Sequence, residues 1–230
     1  VAFFGMIFSG TRGSILGLIV GIGFAMVSYI LVLKNYPKTR KILAGLVLLG
    51  VALIAALYYF RETAFVQKIP AVNRAVGTSV TAIKSSPRWV AWQSGVESWK
   101  ERPAFGWGPN NFFYAFNKYY QPKSLQFGYG ETWFDNAHNV IVNTLAVQGA
   151  VGLVSYLAIF IAAVVVLVFA RRKRGLDIHI TVLSGAFLIA HLTQNVTVFE
   201  NPTSYLYFMF WLAMITSFSN KNEEVVYTSV

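Results

Sequence analysis

From Ser14 to Leu33 the chain runs for about 20 residues without a charged side chain, and the run ends abruptly in Lys34, Lys38, Arg40 and Lys41. As a helix, that stretch measures about 30 Å, the thickness of a bilayer's hydrocarbon core. Similar apolar runs follow at Ile42 to Phe60, His138 to Ala170, Ile178 to Phe199 and Tyr205 to Phe218, and the third stops at Arg171, Arg172, Lys173 and Arg174. Only 12% of the residues are charged and 56% are hydrophobic, against about 25% charged in an ordinary soluble domain. The expectation is an all-α polytopic membrane protein with about five transmembrane helices. The apolar start, Val1 to Phe8, reads as the outer end of a truncated further span, and the chain as the C-terminal part of a longer protein.

The net charge of +10 does not point to nucleic acid. The cations gather in short clusters between spans, and no basic stripe tracks a phosphate backbone. Short basic loops stay in the cytoplasm, whereas long loops cross largely regardless of charge. Both basic clusters then lie inside, and the polar stretch 61–137 lies outside as one large loop. Five of the six tryptophans fall in it: Trp89, Trp92, Trp99, Trp107 and Trp133. Disordered segments are poor in aromatics, so an ordered loop is expected. Trp89, Trp92, Val96 and Trp99 recur at helical spacing behind Ser86 and Pro87, a helix-start signal, which predicts an amphipathic helix at headgroup level. Arg102 to Pro109 reads as a turn region. In the first full span Gly13, Gly17 and Gly21 stand four apart, a spacing that lets another helix approach closely.

Three side chains share an unusual placement at the outer N-terminus of an expected helix: Arg12 before the first full span, Arg88 one residue into the tryptophan helix, and His138 before the third, with Asp135 as a natural N-cap. A helix N-terminus disfavours a cation unless an anion is near. The two arginines therefore suit either an anionic ligand such as a phosphate or the lipid headgroups. A neutral His138 can serve as a general base or simply cap its helix. The helix end lowers its pKa and Asp135 raises it, and the sequence does not settle which prevails. Among weaker candidates, His191, Gln194 and Asn195 lie inside the fourth span, where they mark a pathway or bond between helices. Glu200 is an outer carboxylate that either holds a substrate hydroxyl or caps a turn. His179 lies near the cytoplasmic edge. No metal-ligand spacing, nucleotide loop or nucleophilic serine motif is visible, so no cofactor is expected.

Three motifs in series carry a family resemblance: Thr11-Arg12-Gly13-Ser14; Arg88-Trp89 through Trp99 and Arg102-Pro103 to Gly106-Trp107-Gly108-Pro109-Asn110-Asn111-Phe112; and Asp135-Asn136-Ala137-His138-Asn139, leading to Gln148-Gly149-Ala150-Val151-Gly152-Leu153. Over nearly the whole chain this pattern resembles the C-terminal region of the bacterial O-antigen ligase and O-antigen polymerase family. The resemblance implies a GT-C-type membrane glycosyltransferase of lipopolysaccharide or cell-envelope biosynthesis, in the bacterial inner membrane. It implies transfer of a glycan from undecaprenyl diphosphate at the periplasmic face to a hydroxyl of a lipid, glycan or protein acceptor. Inversion at the anomeric carbon, without metal or nucleotide sugar, is implied as well. Carried over by motif, His138 is the base and Arg12 and Arg88 hold the diphosphate; Asp135, Asn139 and Glu200 are candidate supporting residues beside them. Many members of the family carry arginine between the aspartate and the alanine, where Asn136 stands here. Its partners would then be the lipid-linked donor, the acceptor and membrane lipids, with no nucleic acid. The rival classes are a transporter or channel gated by the loop and a non-enzymatic envelope scaffold. No inverted repeat supports the first.

Overall fold

A computed structural model describes residues 12–68 and 84–227. Every regular element among them is helical: α1 (Arg12–Val32), α2 (Pro37–Tyr59), α3 (Ala64–Gln67), α4 (Pro87–Glu101), α5 (Phe112–Lys118), two 3-10 turns (Pro122–Phe127 and Tyr129–Glu131), α6 (Val140–Lys173), α7 (Ile178–Thr197) and α8 (Pro202–Tyr227). Of the described helices, four are long and apolar enough to cross a membrane: α1 from Gly13, α2, α6 and α7. The expected fifth span, Tyr205 to Phe218, is helical within α8, but α8 is not among the four. That apolar run covers only about 20 Å and includes Thr216 and Ser217, and Ser219, Asn220 and Lys221 follow it. The expected all-α polytopic architecture holds; Val1 to Phe8 lies outside the described residues.

The chain divides into two compact units. The first takes the residues up to Val76, Phe160–Gln194, and Asn201 onward. Its glycine stripe seats α1 on α7. A Cβ placed on Gly17 would lie 2.7 Å from the Ala190 carbonyl oxygen, and one on Gly21 2.9 Å from the Ala190 Cβ. In this unit the stripe is a helix-packing seam. On another side of α7, His191 stacks on Phe208 of α8 at 4.3 Å between ring centroids and 8° between planes, with Phe160 and Phe187 beside it. His191, expected either to mark a pathway or to bond between helices, is thus a buried member of an aromatic stack. Several basic residues cap carbonyls: Arg40 donates to Ile30 at 2.8 Å, Arg171 to Leu176 at 2.8 Å and Arg174 to Ser219 at 3.1 Å. His179 exchanges a hydrogen bond with Tyr29 at 3.0 Å. Asn201 and Ser204 cap α8 reciprocally, each side chain accepting the other's backbone N–H.

The second unit comprises Gly77–Ile159 and Asn195–Glu200. Ser86 caps α4, accepting from Trp89 N, and Pro87 takes the first position, where its missing N–H costs nothing. The fully buried face of α4 is not the tryptophan stripe, of which Trp92 packs partly buried against the edge of the core. It is Val90, Ala91, Ser94, Gly95 and Ser98, residues small enough for Phe112 of α5 to approach within 3.1 Å of where a Gly95 Cβ would be. Phe112, Phe116, Phe134, Ala137, Ala146 and Val147 complete this core. Periodicity points to the large apolar side chains, but the close approach of α5 selects the small ones.

Candidate functional site

α6 is broken at Gly149, whose φ of 69° and ψ of −166° lie in a region essentially reserved for glycine. A break of this kind strips carbonyls before it and amides after it of their helical partners, and buried backbone groups must be paired elsewhere. The 103–108 loop pairs them. Trp107 and Gly108 donate to the Ala146 and Val147 carbonyls at 3.0 and 2.8 Å, while Ala150 and Val151 donate to Pro103 and Ala104 at 2.8 and 3.1 Å. Gly106 sits at φ 64° against the Ala146 carbonyl, and a Cβ there would come within 2.6 Å of it. The loop is itself braced: Trp107 donates its indole N–H to Ser98 O, Trp99 donates to Pro103 O, and the Arg102 guanidinium lies 4.2 Å from the centroid of the Trp107 ring. The turn motif and the Gln148-Gly149-Ala150 motif are therefore two halves of one junction.

Between 6 and 13 residues before that break, three asparagines shape the approach to α6. Asn139 is its N-cap, with Oδ1 accepting from Ile141 N at 2.9 Å and Val142 N at 3.1 Å. Asn136 Oδ1 accepts from His138 N at 2.9 Å, and Asn143 Oδ1 from Ala137 N at 3.3 Å. Trp92 of α4 donates its indole N–H to the Ala137 carbonyl at 2.8 Å. So held, His138 adopts a left-handed backbone, φ 51°, uncommon outside glycine and a conformation often kept at functional sites. The expected cap, Asp135, is exposed and caps nothing. It lies too far upstream of Val140, and Asn139, directly before the helix, has the acceptor in place. Sequence reasoning missed Asn143 and Trp92 as supports of this loop. The asparagine spacing around His138 was the available signal. Asn136 supplies an acceptor that the arginine expected there by resemblance would lack.

The half-buried His138 ring packs edge-on against Phe134 at 6.2 Å and Phe199 at 5.1 Å between centroids. Neither ring nitrogen has a hydrogen-bond partner among the described residues. Burial lowers its pKa from the usual 6.5, and the Arg88 charge lowers it further; Asp135 and Glu131 oppose both. The imidazole is thus neutral near pH 7, and burial is the main cause.

Arg88 is exposed and donates from Nη1 to the Thr197 carbonyl at 3.2 Å. That carbonyl ends α7, where a cation is favoured by the helix dipole. Its remaining N–H groups have no hydrogen-bond partner among the described residues. Glu200 accepts from Asn195 Nδ2 at 2.6 Å, and Asn195 also reaches the Tyr156 hydroxyl at 3.3 Å. Thr197, Phe199 and Glu200 belong to one short segment of this unit. That segment touches Arg88 and the His138 ring, so three candidates distant in sequence share one platform. Arg12 begins α1, and its side chain lies outside the described residues.

The fold and this unit define a class: multi-span helical membrane proteins with an ordered aromatic-rich unit carrying a neutral histidine beside an arginine. The chain belongs to the O-antigen ligase family, whose model matches residues 1–157. That match spans all three motifs. Membership brings O-antigen ligase-type glycosyl transfer, and with it, in general terms, a lipid-linked glycan and an acceptor as partners. No curated protein matches the chain.

Proposed function

We propose that this protein moves a glycan from undecaprenyl diphosphate to an acceptor hydroxyl at the periplasmic face of the bacterial inner membrane, with His138 as general base. The observation that carries the reading is a half-buried imidazole, free of hydrogen bonds among the described residues and held in a left-handed turn, whose pKa burial and the Arg88 charge lower. The acceptor hydroxyl attacks the anomeric carbon from the face opposite the diphosphate, and its proton passes to the imidazole. The carbon–oxygen bond to the diphosphate breaks, and the leaving group takes the electron pair, so the configuration inverts. Arg88, and Arg12 by its motif, stabilise the charge that develops on the diphosphate. No metal or nucleotide is required by these steps. Glu200 is the second carboxylate-bearing candidate, supporting the acceptor hydroxyl. The orientation follows from the short basic clusters, Lys34 to Lys41 and Arg171 to Arg174, on the cytoplasmic side.

The test is transfer from purified undecaprenyl-diphosphate glycan by the full-length protein, offered lipid, glycan and protein acceptors in turn. Product with at least one acceptor, dependent on His138, is expected. Transfer that persists undiminished in His138→Ala would reject the assignment of the base.

A further inference from the structure

The partly buried tryptophan stripe of α4 borders a cleft of about 290 Å³ lined by Trp89, Trp92, Gln93, Val96, Glu97 and Gln121. We propose that this cleft is a saccharide subsite taking a single uncharged pyranose ring, a reading that rests on glycosyl transfer for the source of that sugar.

The lining has the two kinds of surface a pyranose presents. The indoles of Trp89 and Trp92 meet at 6.0 Å between centroids and 60° between planes. They form a corner that can cover one face and one edge of a ring. An indole face carries negative charge density, which suits the polarised C–H groups on the apolar face of a sugar. Around that corner stand groups for the hydroxyls. The side-chain amides of Gln93 and Gln121 have no hydrogen-bond partner among the described residues, and each offers both donors and acceptors. Glu97 adds acceptor oxygens and is already paired with Lys100 at 2.7 Å. No cation lines the cleft, so nothing in it selects an anionic sugar or a phosphate.

Size and rigidity agree. The volume lies just below the usual small-molecule range of ~300–1,000 Å³, which suits one ring rather than a long chain. One wall, the Trp92 indole, is fixed before any ligand arrives by its bond to Ala137 O, and the backbone of Trp89 is held in the capped first turn of α4. Preorganisation of this kind reduces the ordering cost of binding. The Trp92 hydrogen bond also ties the cleft to the residue preceding His138, so the indole that walls the cleft supports the turn that carries the proposed base. It belongs to either the donor glycan or the acceptor; the chemistry of recognition is the same.

Saturation-transfer NMR on the full-length protein in nanodiscs tests the subsite directly. The probes are the methyl glycosides of glucose, galactose and N-acetylglucosamine, with methyl glucuronide as the anionic control. At least one neutral glycoside is expected to bind, with saturation strongest on ring C–H protons, and in preference to the glucuronide. Trp89→Ala and Gln121→Ala should each weaken it about tenfold or more, equal to about 1.4 kcal/mol, while Trp89→Phe keeps most of the binding. Gln121→Ala and Trp89→Phe leave the packed face of α4 intact, so they decide the matter if Trp89→Ala does not fold. Binding of no neutral glycoside, or binding unchanged in Gln121→Ala with Trp89→Ala either unchanged or unfolded, overturns the subsite. In the transfer assay, Trp89→Ala should raise the KM of the acceptor alone or of the donor alone, which identifies the source of the sugar. A KM effect on neither substrate overturns the proposal even where glycosides bind. Sugar binding is read here without transfer, so a failed base assignment and a failed subsite give different results.

Discussion

The indole N–H of Trp92 reaches the Ala137 carbonyl at 2.8 Å across 45 positions of sequence. One tryptophan thereby fixes the peptide that precedes His138 and also walls the cleft on α4. A net hydrogen bond is worth about 0.5–1.5 kcal/mol, a small fraction of stability. Its loss at this place frees a strained turn. Trp92→Phe, which keeps most of the aromatic surface, is expected to lower kcat for glycan transfer by roughly tenfold, with donor KM little changed. A purely structural role would instead lower the thermal midpoint and the active fraction while leaving kcat per active enzyme intact, so both are measured.

Gly149 carries a separate prediction. A Cβ there would lie 2.3 Å from the Ala104 carbonyl carbon, on a backbone that non-glycine residues scarcely adopt. The neighbour is backbone and cannot swing aside. Gly149→Ala should cost at least the ~1–3 kcal/mol of the backbone conformation, and it should loosen the four hydrogen bonds between the 103–108 loop and α6. Hydrogen exchange at Trp107, Gly108, Ala150 and Val151 should then accelerate together. Protection unchanged at these four amides would show that the loop does not depend on the break.

The spans were legible because the bilayer imposes a length and an apolar composition on any helix that crosses it. The cap at Ser86 and the helix behind it were legible for the same local reason. The junction at Gly149 was not, since neither Gly106-Trp107-Gly108 nor Gln148-Gly149-Ala150 carries any mark of its partner; only the meeting of two chains forces glycine at both. Asp135 looked like the cap because acid before a helix is a common signal, but Asn139 lay nearer the first turn. The sequence also could not rank the influences on His138. Its burial depends on Phe134 and on Phe199, which arrives from the far end of α7, and that burial outweighs the field of Asp135.

Arg88 should tolerate lysine poorly. A guanidinium can hold the Thr197 carbonyl and still offer a planar pair of donors to a diphosphate, whereas an ammonium is a point charge. Arg88→Lys and Arg88→Gln are expected to weaken donor binding by roughly tenfold or more, measured by titration with undecaprenyl-diphosphate glycan. Normal donor affinity in both would leave Arg88 as a cap for α7 alone.

Membrane orientation can be tested cleanly, because the chain has no cysteine. Single cysteines at exposed positions such as Lys123 or Tyr129 should react with an impermeant thiol reagent added to intact cells with a permeabilised outer membrane. Cysteines at Lys38 or Arg172 should react only after the inner membrane is opened. Reaction of the last two from outside would reverse the proposed orientation.

The pH dependence of transfer distinguishes the base from its neighbours. Burial and the Arg88 charge hold the His138 pKa below the usual 6.5, and Asp135 and Glu131 pull it up. A base must be neutral to accept a proton. The rate therefore stays on its plateau above the lowered pKa and falls as pH drops through it. Removing a negative neighbour lowers that pKa further, so Asp135→Asn should move the acid limb to lower pH. Removing a positive neighbour raises it, so Arg88→Gln, compared at saturating donor, should move the limb to higher pH. The two shifts have opposite sign, and a general loss of folding cannot produce both. His138→Ala should cost roughly 10²–10⁴-fold in kcat, the usual contribution of general-base catalysis, and should abolish this limb while donor binding persists. An acid limb that stays in place in all three variants would assign the titration to another group, with Glu200 the next to be substituted.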